Sequence, residues 1–168
     1  MLTIWLTLAA TLVASLFDLR SRRIPNFLTA TLAALALVVH AFNGPIALLT
    51  AFAVMAVLTV GGALIYSRGG IGGGDVKLAI AASGMLSYPL CVPFLLYSAI
   101  GGGLLAMLYL VFRPEARPAL ARAVVMVAGG APSVSVKRLT LPYGLAFAFG
   151  AVAIALAQSV APFMRILF

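Results

Sequence analysis

Three side chains of this 168-residue chain carry a carboxylate: Asp18, Asp75 and Glu115. Asp75 stands in "GGIGGGDVKLAIA" (Gly69–Ala81), where glycines give way to an apolar run. Asp18 has the reverse setting, closing the apolar stretch that starts at Leu2. An ionisable group at the edge of apolar surroundings is costly, and such groups mark functional sites by default. Each also has an ordinary use. Asp18 as a helix-end residue would pair with Arg20 or Arg22, and Asp75 would cap the helix it begins. Together, two acids at one site share a proton and activate water, the chemistry of a hydrolytic dyad. The glycines before Asp75 have no Cβ and let a second backbone, such as a peptide substrate's, approach the carboxylate. They lack the Gly-Lys-Ser/Thr ending of a phosphate-binding loop.

Whether the two acids meet depends on the elements that carry them. Apolar runs and their breakers predict six helices, at Leu2–Phe17, Ile24–Phe42, Pro45–Tyr66, Val76–Tyr88, Pro89–Phe112 and Leu141–Val160. Tyr88-Pro89 and Val92-Pro93 both interrupt the pattern between the fourth and fifth. Between the last two, Ala119–Ala128 reads as a short interfacial helix with arginines on its wet side. The composition agrees: 64% of residues are hydrophobic, 8% are charged and the mean hydropathy is +1.20. These values describe an all-α, polytopic integral membrane protein forming one domain over residues 1–168. A span needs roughly 20 apolar residues, so this length accommodates about six. The first run has no basic segment before it, unlike a secretory signal.

Charge then orients the spans. Arg20, Arg22 and Arg23 follow the first helix, Arg68 and Lys77 flank the join of the third and fourth, and Arg113, Arg117, Arg122, Lys137 and Arg138 separate the last two. Of the 11 basic residues, Arg165 alone falls on the other side. The positive-inside rule places those loops in the cytoplasm and both termini outside. Asp18, reached about 26 Å along the first helix, and Asp75, opening the fourth, then share one depth at the cytoplasmic face. The net charge of +8 is scattered among apolar runs, which fits anionic lipid headgroups as partners and not nucleic acid. One cysteine, Cys91, excludes an internal disulfide, and with His40 the only histidine, neither a metal nor a cofactor is expected.

Two stretches around these acids resemble a known family. "FDLRSRRIPN" (Phe17–Asn26) and "GGGDVK" (Gly72–Lys77) are similar to the two signature motifs of the type IV prepilin peptidases, membrane aspartic proteases of the Gly-x-Gly-Asp kind. "LPYG" (Leu141–Gly144) resembles that family's late Pro-Tyr-Gly motif. The resemblance implies that Asp18 and Asp75 are the catalytic acids and that Gly72 and Gly74 are the motif glycines. It also implies a prepilin or pseudopilin substrate, whose short basic leader is removed at the cytoplasmic face of a bacterial inner membrane. Larger relatives methylate the new N-terminus and carry a cysteine-paired insertion between the first helices. Here only Leu19–Arg23 joins them, which resembles the short, peptidase-only type found with Flp (tight-adherence) pili. Archaeal preflagellin peptidases are the related alternative.

Other residues are weighed beside the dyad. Lys77, two positions past Asp75 on a helix, points away from it, toward lipid phosphate, a substrate carboxylate or simply the interface. Arg20 is a topology anchor or a substrate contact. Tyr143 lines the site or serves as an interfacial aromatic. Glu115 reads as a solvated loop charge. Gly61-Gly62 and Gly101–Gly103 read as close helix-packing positions. The rival function is a small proton- or cation-coupled transporter with Asp18 and Asp75 as a relay. Inverted repeats would favour it, and no convincing internal repeat is visible.

Overall fold

Six of the first helix's residues are buried: Ile4, Thr7, Thr11, Ala14, Ser15 and Asp18. Their three- and four-residue spacing puts them on one face. Burying hydroxyls in an apolar bundle is tolerable here because each is satisfied within the helix. Thr7 donates to the Thr3 carbonyl at 2.8 Å, Thr11 to that of Thr7 at 2.9 Å and Ser15 to that of Leu12 at 2.7 Å.

A computed structural model describes residues 1–68, 71–112 and 143–167. Among them the chain forms α1 (Leu2–Ser21), α2 (Asn26–Phe42), α3 (Pro45–Ser67), α4 (Gly73–Leu86), α5 (Cys91–Phe112) and α6 (Tyr143–Leu167), with no strand. Four stretches are long and apolar enough to cross a membrane: Leu2–Ser21, Pro45–Ser67, Cys91–Tyr109 and Tyr143–Val160. The regular structure among the described residues is all helical, and these apolar helices mark an integral membrane protein. The expected interfacial helix at Ala119–Ala128, Glu115 and the basic residues from Arg113 to Arg138 lie outside the described residues.

Two helix ends differ from the predicted boundaries in ways that matter to the acids. The first helix runs four residues past Phe17, so Asp18 sits inside its last turn. It stops at Arg22, which adopts the left-handed conformation (φ 50°) and donates its N–H to the Asp18 carbonyl. α4 begins at Gly73, three residues before the predicted Val76, and takes Asp75 into its first turn. Glycines read as loop in sequence, yet here Gly73 and Gly74 are packed into the helix. A Cβ on Gly73 would lie 3.3 Å from the Tyr66 ring, and one on Gly74 would lie 3.3 Å from the Ile24 Cβ.

α4 is the axis of the bundle and contacts all five other described helices. Its residues from Ala81 to Leu86 are buried on every side, the expected environment of a helix apolar all round. At 14 residues it is about 21 Å long, shorter than the hydrocarbon core of about 30 Å. α2 runs parallel to it: Lys77 Nζ donates to Asn26 Oδ1 (2.9 Å) at one end, and His40 Nε2 hydrogen-bonds the Met85 carbonyl (3.1 Å) at the other. α3 runs antiparallel, with Gly62 against Val76 and Met55 against Gly84. Only Ala51 of α3 is buried, and its outer face, including Ile46, Phe52 and Val57, is apolar surface suited to lipid.

α5 and α6 form a close antiparallel pair. Gly102 faces Ala146 and Tyr143, Gly101 faces Phe149, and Gly150 faces Ser98 and the Phe94 carbonyl. Phe94 also stacks on Phe147. Gly62, Gly101 and Gly102 therefore serve the expected close packing, whereas Gly61 and Gly103 have nothing within 4 Å of an added Cβ. α1 packs on α6 and α4 and completes the bundle. Successive helices alternate in direction throughout, which brings the end of α1 and the starts of α4 and α6 together.

Candidate active site

Asp18 is 6% exposed, on the same inward face of α1 as Thr11 and Ser15. Its Oδ2 accepts a hydrogen bond from the backbone N–H of Gly144 at 2.8 Å, in the first turn of α6. The N–H groups in a helix's first turn have no carbonyl of their own helix to bond, and Asp18 supplies the acceptor for this one. The start of α6 also brings its positive dipole end to a carboxylate that stands at the negative end of α1.

Asp75 enters from the opposite direction. It is the third residue of α4 and half-buried, and its carboxylate turns back toward the Gly72 backbone amide. An acid three residues into a helix, reaching back to the residue before its first turn, is the return half of a capping box. The missing side chain of Gly72 leaves room for the carboxylate in this orientation: a Cβ there would lie 2.7 Å from Asp75 Oδ2. Its own backbone is extended (φ −69°), a conformation open to any residue. Capping thus accounts for the orientation of Asp75, while its position beside another acid needs a different explanation. The Asp18 charge acts on Asp75, so the chain's only two aspartates share one electrostatic neighbourhood.

The other expected site residues divide into two groups. Gly74 is at the dyad's edge, where Ile24 of the α1–α2 connection closes onto it. Tyr143 is half-buried at the start of α6, beside Gly102 of α5 and within range of the Asp75 charge. Lys77 and Arg20 do not join them. Lys77 is exposed and bonded to Asn26. Arg20 is also exposed, and two residues beyond Asp18 it projects from a side of α1 roughly 200° around from that acid. Gly144 was missed as a partner for Asp18, although it ends the "LPYG" motif and so stood one position beyond the tyrosine singled out.

Two carboxylates close enough for one charge to act on the other form a coupled pair. Such a pair offers a base and an acid side by side, the equipment for adding water to an amide. The surroundings bear on that use: Gly72 leaves room for the Asp75 carboxylate, and the first turn of α6 supplies an N–H donor to Asp18.

Comparison with known proteins supports the same chemistry. Neither the search of curated proteins nor the search of solved structures returned a match. The family model described as "Type IV leader peptidase family" matches residues 5–107. That region is more than half of the chain and holds Asp18, Gly72, Gly74 and Asp75. An all-helical membrane bundle that gathers its two aspartates within that match has one consistent identity: the chain belongs to the type IV leader peptidase family, proteases whose substrates are of the prepilin type.

Proposed function

We propose that this protein is an aspartic endopeptidase of the bacterial inner membrane that cuts the short basic leader from a prepilin of the Flp type and leaves the new N-terminus unmethylated. The observation that carries the reading is that Asp18 and Asp75, from helices far apart in sequence, stand at the same end of the bundle, close enough for one charge to act on the other. The distribution of basic residues supports placing that end at the cytoplasmic face, with both termini outside. A prepilin leader then approaches from the cytoplasm while the apolar helix behind it stays in the bilayer.

At the scissile peptide, one carboxylate removes a proton from water as the water attacks the carbonyl carbon. The other acid gives its proton to the substrate, and collapse of the tetrahedral species releases the leader. During that collapse the first acid passes water's proton to the leaving nitrogen and the second recovers a proton from a hydroxyl of the tetrahedral species, so the dyad ends as it began. Gly72 leaves room for the Asp75 carboxylate, Gly74 packs against Ile24 beside it, and Tyr143 lies within range of its charge from α6. Lipid contacts fall to the exposed apolar faces, above all that of α3. The transporter reading has no such support in the family match.

The restriction to cleavage rests on the joint between α1 and α2. The four residues Arg22–Pro25 lie between the two helices, and Cys91 is the only cysteine. The test is mass spectrometry of a Flp-type prepilin incubated with the purified protein in liposomes. The expected product lacks its leader and bears a free N-terminal amine. A product extended by one methyl group after addition of a methyl donor would contradict the subclass, and an intact prepilin would contradict the activity.

A further inference from the structure

Gly144 lies beyond the matched region, yet it is in direct contact with Asp18. Its N–H donates to Oδ2 at 2.8 Å. There is also little space beside it: a Cβ would lie 3.0 Å from the Ser15 Cα, 3.1 Å from the Asp18 Cβ and 3.2 Å from Oδ2. The Ser15 Cα belongs to helix backbone and cannot step aside as a flexible side-chain tip can. α6 therefore approaches α1 closely enough for its amide to reach the carboxylate only because residue 144 has no side chain.

Resting on the peptidase reading, we infer that Gly144 is a positioning residue for catalysis, its backbone N–H holding Asp18 Oδ2 so that Oδ1 is the oxygen presented to water. The torsion of an aspartate carboxyl group is broad and roughly two-fold, so packing at Cβ alone leaves the oxygens poorly fixed. One short bond from a helix end defines the plane of the carboxylate. It leaves the second oxygen free to accept water's proton, and that pre-organisation is a recognised source of rate. α6 thereby becomes a third element of the site beside α1 and α4.

Packing and hydrogen bonding at Gly144 are separable. As the second residue of α6, Gly144 has an N–H with no carbonyl partner inside its own helix. Replacing Gly144 by glycolate, delivered on a chemically acylated suppressor tRNA, converts that amide to an ester. The donor is removed without adding an atom or breaking a helix bond. Made in full-length protein in nanodiscs, this variant should keep its KM and lose kcat by about 10- to 100-fold, as expected for a lost hydrogen bond to a charged group. If Gly144 served packing alone, the ester would cleave at the unmodified rate, and that result would overturn the inference. Failure of the unmodified protein to cleave a Flp-type prepilin would instead overturn the peptidase reading, and this one with it. A second measurement is independent of the ester's folding. Tyr143-Gly144 is the only Tyr-Gly pair in the chain, so ¹³C-carbonyl tyrosine with ¹⁵N-glycine labels a single amide. Its proton resonance should move upfield in Asp18→Ala as the acceptor is lost, and an unmoved resonance would also overturn the inference.

Discussion

At the scale of single residues, the account rests on how little space surrounds the two carboxylates. Gly72 provides a sharp case because its conformation is ordinary and only its missing Cβ matters. Gly72→Ala adds a methyl group 2.7 Å from Asp75 Oδ2, and the flexible carboxylate rotates away at small cost to stability. The expected outcome is a protein whose thermal midpoint changes by no more than a few degrees while leader cleavage falls at least about tenfold, since small misplacements at a reacting centre are expensive. Cleavage at the unmodified rate would show that Asp75 need not hold its present orientation. The two aspartates stand out in the sequence because acids are so rare in it, and the structure brings them within range of one another's charge. Gly144 does not stand out, since its bond to Asp18 crosses 126 positions and no local pattern announces a backbone donor.

At the scale of elements, the helices themselves were readable from apolar runs, and their ends were less so. α4 extends back through Gly73 and Gly74 because Tyr66 and Ile24 pack against them, a tertiary effect that overrides glycine's preference for loops. The same packing logic separates glycines that look alike in sequence. Gly150 faces backbone: its Cβ would lie 2.9 Å from the Phe94 carbonyl oxygen and 3.0 Å from the Ser98 nitrogen. Gly103 has nothing within 4 Å. Gly150→Ala should force α5 and α6 apart and destabilise the bundle by about 1–3 kcal/mol, the usual cost of overpacking. Gly103→Ala should be neutral or stabilise by up to about 1 kcal/mol through helix propensity. Reversible unfolding of both variants in detergent checks the pair, and equal effects would show that α5 and α6 are not in close contact at this crossing.

At the scale of the whole molecule, alternating helix directions bring three helix ends together, and the charge distribution leads us to propose that this end faces the cytoplasm. Ser21 and Asn43 are both exposed and lie at opposite ends of the bundle, in α1's last turn and just after α2. With Cys91 buried and giving low background, Asn43→Cys should react with a membrane-impermeant thiol reagent applied to intact cells, and Ser21→Cys should not. The reverse pattern would turn the site to the outside. The uneven distribution of basic residues carries the expected orientation, while the extents of α1 and α4 depended on tertiary packing that the sequence does not display. The central claim, that Asp18 and Asp75 act as one hydrolytic pair, is tested most directly by prepilin cleavage in cells expressing Asp18→Ala, Asp75→Ala or, as a control, Glu115→Ala. Removing either carboxylate should abolish leader removal while the protein accumulates in the membrane at near-normal abundance, and Glu115→Ala should process normally. Full processing by either aspartate variant would contradict the account.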